Sequence, residues 1–396
     1  MLSSQSVLLQ SIISSLYTVP LHNSNSIDWL SLLQEAIDQT VVGLVVPTVK
    51  KYAEDHEVPN LKQWTSIGDQ LVAYFVCCFQ AQRELVKLFE DNSVPVVIVK
   101  GYAAAVYYPI PKLRTMGDVD FLVPKDRFEE AKVLLEKYGY REEYGASHDE
   151  SRHIGYKKNG IVFEMHRSMS SFGVNIDDVL DKGMTNADVG MIAGISFPML
   201  PPLENGLVLL IHIRQHLLEE DYSLGLRQII DWMMYVNRYC VTEVDGELWD
   251  DKFLELAETY RMETLAVTVT YICREWLGLP NAPSWCDCAD RETAEEFLDL
   301  IMASGNFGSK IERDDQSVKQ VVVSYKQMGL FRYLQSRGLK NWKATQKHSW
   351  LRHFAWLYQA CRIMILGIKS VFVGNQGIKQ FSEGNKKSDL LKRLGV

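Results

Sequence analysis

Asp118-Val119-Asp120-Phe121-Leu122-Val123 alternates acidic and apolar side chains within a run of strand-forming residues. Successive side chains of an extended strand point to opposite faces, so Asp118 and Asp120 project to one side while Val119 and Phe121 face a core. The pattern extends in both directions. Upstream, Val94-Pro95-Val96-Val97-Ile98-Val99 predicts a buried strand ending at Lys100-Gly101. A helix of small residues follows from Tyr102 to Tyr108, stopped by Pro109 and Pro111. Downstream, Pro124 to Tyr138 reads as an amphipathic helix with Phe128, Ala131, Leu134, Leu135 and Tyr138 on one face and Gly139 just past its end. Gly155 to His166 reads as a hairpin, because Asn159-Gly160 is a strong two-residue turn signal. On its second arm Val162, Glu164 and His166 share one face and Ile161, Phe163 and Met165 the other. A third carboxylate thus faces the aspartate pair from a neighbouring strand.

Helical spacing dominates elsewhere. Before residue 93 the sequence predicts helices from Ile27 to Val42, after a Ser26 cap, and from Leu61 to Phe89. Beyond Leu200-Pro201-Pro202 it predicts helices from Leu203 to about Leu277, at Arg291 to Met302, Val318 to Leu334 and Trp350 to Val371. The expected class is α+β, with an N-terminal helical region over residues 1–92, a mixed core over 93–200 and a C-terminal helical region over 201–396.

The 396-residue chain, 47% hydrophobic and 23% charged, is of globular composition. No stretch has the length and low charge of a membrane span; the nearest, Ala360 to Val373, is interrupted by Arg362 and Lys369. The N-terminus lacks the basic region of a signal peptide, and seven scattered cysteines suit a reducing compartment, so the expected location is cytoplasmic. Cys286 and Cys288 have no second pair nearby and read as loop thiols rather than a zinc site. The net charge of −8 is unevenly spread, because residues 337–396 carry 12 Lys+Arg against 2 Asp+Glu, leaving −18 on the remainder. That asymmetry suggests an anionic partner for the tail, either nucleic acid or a membrane surface. The alternative is that the tail neutralises its own acidic body.

Carboxylates converging from two strands suit hard divalent cations, which prefer oxygen ligands. Transfer of a nucleotidyl group needs charge neutralisation on a triphosphate and in-line attack, and divalent ions held by carboxylates are one solution. D-x-D alone is a weak signal, since any strand with a solvent face can carry two acids. The ordered set Lys100-Gly101, Tyr108-Pro109, Arg114, Asp118-Val119-Asp120 and Glu164-Met165-His166 is more specific. It resembles the nucleotidyltransferase superfamily, and more closely its bacterial "uncharacterised nucleotidyltransferase" branch, over roughly residues 60–280. The resemblance implies a nucleotidyltransferase-like mixed β-sheet core flanked by helical regions. It further implies an NTP and an unidentified acceptor hydroxyl as substrates, and Mg2+ or Mn2+ as cofactor. Asp118, Asp120 and Glu164 would be the catalytic, metal-holding acids, with Lys100, Gly101, Arg114 and His166 on the nucleotide.

One departure from the pattern is Gly101-Tyr102, where the superfamily usually has Gly-Gly or Gly-Ser. No small hydroxyl is left for a phosphate, so Lys100 as a point charge and Arg114 as a bidentate donor are the expected substitutes. Their alternatives are a solvated lysine and a surface arginine. His166 positions the acceptor, shuttles a proton, or is a hydrogen-bonded structural histidine beside Glu164. His212 and His216, like Arg227 and Asp231, stand at i and i+4 and read as interdomain polar packing or substrate lining. The rival to an enzyme is a catalytically inactive binding or regulatory protein of the same fold; a third reading is a helical interaction scaffold.

Overall fold

The computed structural model describes residues 2–21, 27–143, 152–218, 224–244, 246–310, 329–372 and 376–396. Seven strands form one mixed sheet: β1 (Val97–Ile98), β2 (Val119–Leu122), β3 (Arg141–Glu142), β4 (His153–Lys158), β5 (Ile161–His166), β6 (Asp188–Ile192) and β7 (Ile195–Met199). Their order is β3-β4-β5-β2-β1-β7-β6. β2 runs antiparallel to β1 and parallel to β5. All four of its residues are buried, as its central position requires.

The predicted hairpin is β4–β5, and its turn takes positive φ at both central residues, 52° at Asn159 and 82° at Gly160. Left-handed backbone at both positions is what the two-residue turn demands, and Asn and Gly tolerate it best. β1 is shorter than its β-branched run predicts, because Pro95 has no N–H to give a ladder. The β6–β7 hairpin was not anticipated: Gly190 and Pro198 depress its strand signal, and it turns at Ala193-Gly194.

The helices are α1 (Ser3–Tyr17), α2 (Trp29–Asp38), α3 (Val42–Tyr52), α4 (Leu61–Asp91), α5 (Gly101–Ala105), α6 (Phe128–Lys137), α7 (Asp177–Thr185), α8 (Pro202–Leu218), α9 (Leu226–Tyr239), α10 (Trp249–Thr259), α11 (Glu263–Leu277) and α12 (Arg291–Ser304). Beyond them lie α13 (Leu330–Asn341), α14 (Ala344–Lys347), α15 (Ala355–Phe372) and α16 (Gln376–Arg393). α2 begins later than expected, and its cap is Asp28, whose carboxylate accepts the Ser31 N–H at 3.0 Å. Ser26 lies outside the described residues, as does the 318–328 part of the helix expected at Val318 to Leu334. α5 ends at Ala105, short of Tyr108, and Tyr138 is exposed instead of completing the α6 face.

The two faces of the sheet belong to different cores. Val119, Phe121, Ile161, Phe163 and Met165 pack with Phe75, Phe79 and Phe89 of α4 and Phe128 and Leu135 of α6. Val97, Val99 and Leu122 join the second core, which unites α1–α3 with α8, α9, α11 and α12. Burying Phe121 and Phe163 contributes about 1.5–3 kcal/mol each. A one-residue slip of either strand would turn its aromatic out and its acid in, so apolar packing on one face fixes the carboxylates on the other.

Candidate active site

In the parallel β2–β5 ladder Asp120 stands opposite Glu164 and Leu122 opposite His166. His166 Nε2 lies 2.8 Å from Asp120 Oδ1 and 3.5 Å from Glu164 Oε2. The Lys100 ammonium donates to the same Asp120 oxygen at 2.8 Å and lies 4.0 Å from Glu164. Lys100, Asp120 and His166 are each less than a tenth exposed, and Glu164 is the more open. Lys100 reaches this point from a strained backbone, φ 52° and ψ −121°, at the turn from β1 into α5. A non-glycine residue held there costs on the order of 1–3 kcal/mol, and such strain concentrates at functional sites. Asp118 precedes β2, is half-buried, and lines the same cavity. Gly101 keeps the wall thin, since a Cβ there would sit 3.1 Å from Met116 Cε. Tyr102 turns away and donates its hydroxyl to the Phe75 carbonyl at 2.7 Å, so no hydroxyl from this position reaches the cavity.

Burial alone would raise the carboxyls, and the neighbouring charges sort them. Burial, Asp120 and Glu164 together push Asp118 up to about 7, against a partial offset from Lys100 and Arg227. Asp120 goes the other way: burial is outweighed by Lys100 and His166, which hold it well below the usual carboxylate range. Glu164 is lowered despite its burial, chiefly by the His166 hydrogen bond. Burial and Lys100 work against the His166 cation, but hydrogen bonds to Asp120 and Glu164 prevail and raise it. The donor atoms of Asp120, Glu164 and His166 all lie within 4.8 Å of one another. Three carboxylates crowded into one cavity, one of them driven toward protonation, are a donor set that fits a divalent cation. Asp118 is not within the 4.8 Å group, and His166 is its third member.

The cavity, about 220 Å³, is closed by side chains of α8, α9 and β4. His212 and His216 of α8 line it, their Nε2 atoms 3.0 Å apart. Burial, then His216 and Lys100, hold His212 well below its ordinary value, so it is neutral. His153 of β4 stands opposite His166 across the hairpin, with ring centroids 5.2 Å apart. Counting back from the Asn159-Gly160 turn would have found it.

Arg114, expected to offer its fork to phosphate, closes it on Asp231 instead: Nε and Nη2 each donate at 2.7 Å to the two carboxylate oxygens. Tyr108 donates to the same carboxylate at 2.7 Å. Asp231 is thereby taken from its i−4 neighbour Arg227, which lines the cavity and makes no salt bridge among the described residues. The Arg227 Nε is buried without a hydrogen-bond partner among the described residues.

No curated protein matches the chain. Two solved structures of ANT(2'')-Ia are similar at 13% identity. The crystal structure of its complex with adenylyl-2''-tobramycin aligns over 46% of this chain and 95% of that one with a TM-score of 0.32. The solution structure of the same antibiotic-resistance factor aligns over 45% and 88% with a TM-score of 0.33. Residues 25–278 match the model of a family described as uncharacterised nucleotidyltransferase, and the chain belongs to that family.

Proposed function

We propose that the protein transfers a nucleoside monophosphate from an NTP to an acceptor hydroxyl, with Asp118, Asp120 and Glu164 as the essential acids. The observation that carries this reading is the register pairing of Asp120 with Glu164 in the cavity, with Asp118 on the same wall. Mg2+ or Mn2+ held by these acids would supply charge neutralisation for the triphosphate. The side chains do the rest. Asp120, held ionised by Lys100 and His166, keeps its charge at any physiological pH. Glu164, the more open acid, faces the acceptor and accepts its proton. His166, bonded to both acids, orients them. Arg227 receives the triphosphate: it is the cavity arginine with an unused buried N–H, whereas Arg114 holds α9 to the segment before β2. Lys100 adds a point charge beside the nucleotide, and Gly101 gives it room. With NTP as substrate and seven free cysteines, the reaction belongs in the cytoplasm.

A second reading, a catalytically inactive nucleotide-binding protein, is favoured by the Lys100 contact. Its ammonium already neutralises Asp120 at 2.8 Å, the acid most needed for a metal. The two readings separate on substitution. In the enzyme, Asp120→Asn lowers turnover by about 10²–10³-fold, the scale of a main electrostatic element. Glu164→Gln abolishes transfer while preserving most NTP affinity. In the inactive protein neither change alters any product, because wild type forms none.

A further inference from the structure

Residues 329–372 contain 8 Lys+Arg and no acid. Within them α13 and α15 pack as a firm pair. Gly338 lets the helices touch, since a Cβ there would lie 1.9 Å from the Ala355 carbonyl oxygen. Trp342 stacks on Tyr358 with ring centroids 5.1 Å apart and planes 5° from parallel. Asn341 Nδ2 donates to Gln359 Oε1 at 3.0 Å, and the Trp356 N–H to Gln335 Oε1 at 3.2 Å. Tyr333 and Ala355 are buried.

The outer side of this pair is apolar where a surface helix should be polar. Leu357 and Met364 share one face of α15, Trp350 and Phe354 lie in the 3-10 turn Ser349–Phe354 that leads into it, and the four are 46%, 60%, 63% and 47% exposed. The Trp350 and Phe354 rings touch, with centroids 6.3 Å apart. Phe331 and Leu330 of α13 are equally exposed, and Phe331 meets Trp356 of α15 with ring centroids 5.8 Å apart. The same segment carries exposed cations: Arg332, Lys343 and Arg362 have no carboxylate partner among the described residues.

We propose that this helix pair is a peripheral docking surface for an anionic lipid bilayer, with the aromatic and aliphatic side chains in the headgroup boundary and the arginines and lysines on lipid phosphates. Aromatics, aliphatics and cations on one amphipathic surface are the composition of an interfacial helix. No helix among the described residues is long and apolar enough to cross a membrane, so the contact lies on the bilayer and does not span it. Leu330, Leu357 and Met364 give a bilayer apolar area that nucleic acid, which stacks on aromatics, does not use. A second copy of the chain laid on the same face would bring two acid-free basic surfaces together.

The test is co-sedimentation of the full chain with vesicles of phosphatidylcholine alone and of phosphatidylcholine with about one-third phosphatidylglycerol. Binding is expected to the anionic vesicles and to weaken as salt rises. Trp350→Glu and Leu357→Glu should each lower partition by at least about tenfold, and Arg362→Ser by roughly fivefold. All three residues are exposed, so thermal melts should match wild type and separate lost binding from lost folding. The proposal is overturned if wild type stays in the supernatant with anionic vesicles or if the glutamate variants sediment as wild type does. It is equally overturned if lipid-free protein dimerises through Leu357, or if single-stranded RNA and not lipid is retained through Trp350.

Discussion

Replacing Asp231 with Ala isolates the buried fork that ties α9 to the segment before β2. In the wild type both Asp231 oxygens accept from Arg114 at 2.7 Å, Tyr108 adds a third bond, and the two charged side chains are 5% and 3% exposed. Removing the carboxylate leaves a guanidinium buried without its counter-charge, which costs about 3–5 kcal/mol. The orphaned Tyr108 hydroxyl adds on the order of 1 kcal/mol. With a urea m-value of about 3 kcal/mol/M the unfolding midpoint should fall by more than about 1 M. The paired change Arg114→Met with Asp231→Leu should recover most of the loss, because apolar replacements of similar volume leave nothing unpaired. Equilibrium urea unfolding followed by far-UV circular dichroism reads both. A shift below about 0.5 kcal/mol in Asp231→Ala, accompanied by tighter NTP binding, would refute the strut and return Arg114 to the phosphate.

Asp118→Asn should stabilise the apoprotein at neutral pH. The wild-type carboxyl titrates near 7 when folded but near 3.8 when unfolded. Above pH 4 the unfolded chain has therefore released a proton that the folded one retains. Stability falls as pH rises from about 4 to 7 and then levels off, and at most about 4 kcal/mol is recovered by the Asn variant at pH 7; Tm measured across that window checks it. Arg227→Ala should weaken NTP binding by roughly 10–100-fold, the value of a hydrogen bond to a charged group. Titration calorimetry that finds equal affinities would assign the triphosphate elsewhere. Mg2+ or Mn2+ should raise the melting temperature, and more so with NTP, a ligand at a hundredfold excess over its Kd adding about 2.7 kcal/mol of stability. Asp120→Asn combined with Glu164→Gln should abolish the metal-dependent part, and its persistence would remove those acids from the metal site.

How far the sequence foretells this arrangement depends on the range of the interaction. Alternation within β2 and β5 put Val119 and Phe121 on the core face and Glu164 opposite the aspartate strand, and the ladder pairs Asp120 with Glu164. The Asn159-Gly160 turn set that hairpin locally. The Arg114–Asp231 fork joins residues 117 positions apart and leaves no local trace. Arg227 could not be separated from Asp231 by spacing alone, because i,i+4 neighbours on α9 face alike until a third group claims one of them. The positive φ of Lys100 is likewise invisible: nothing in a lysine signals it, and it follows from joining β1 to α5 through Val99 and Lys100 alone. The C-terminal basic excess was countable, but the exposed apolar face beside it emerges only once α13 and α15 have packed their other sides together.

The proposed reaction moves the α-phosphoryl end of an NTP at the acid cluster. The most direct measurement incubates wild type and Asp120→Asn with α-labelled and, separately, γ-labelled NTP, Mg2+ and a cell extract, followed by separation of labelled products. An Asp120-dependent product labelled from the α position, and none from the γ position, is expected. A product labelled only from γ, or equal α-labelling by the Asp120→Asn variant, would contradict it.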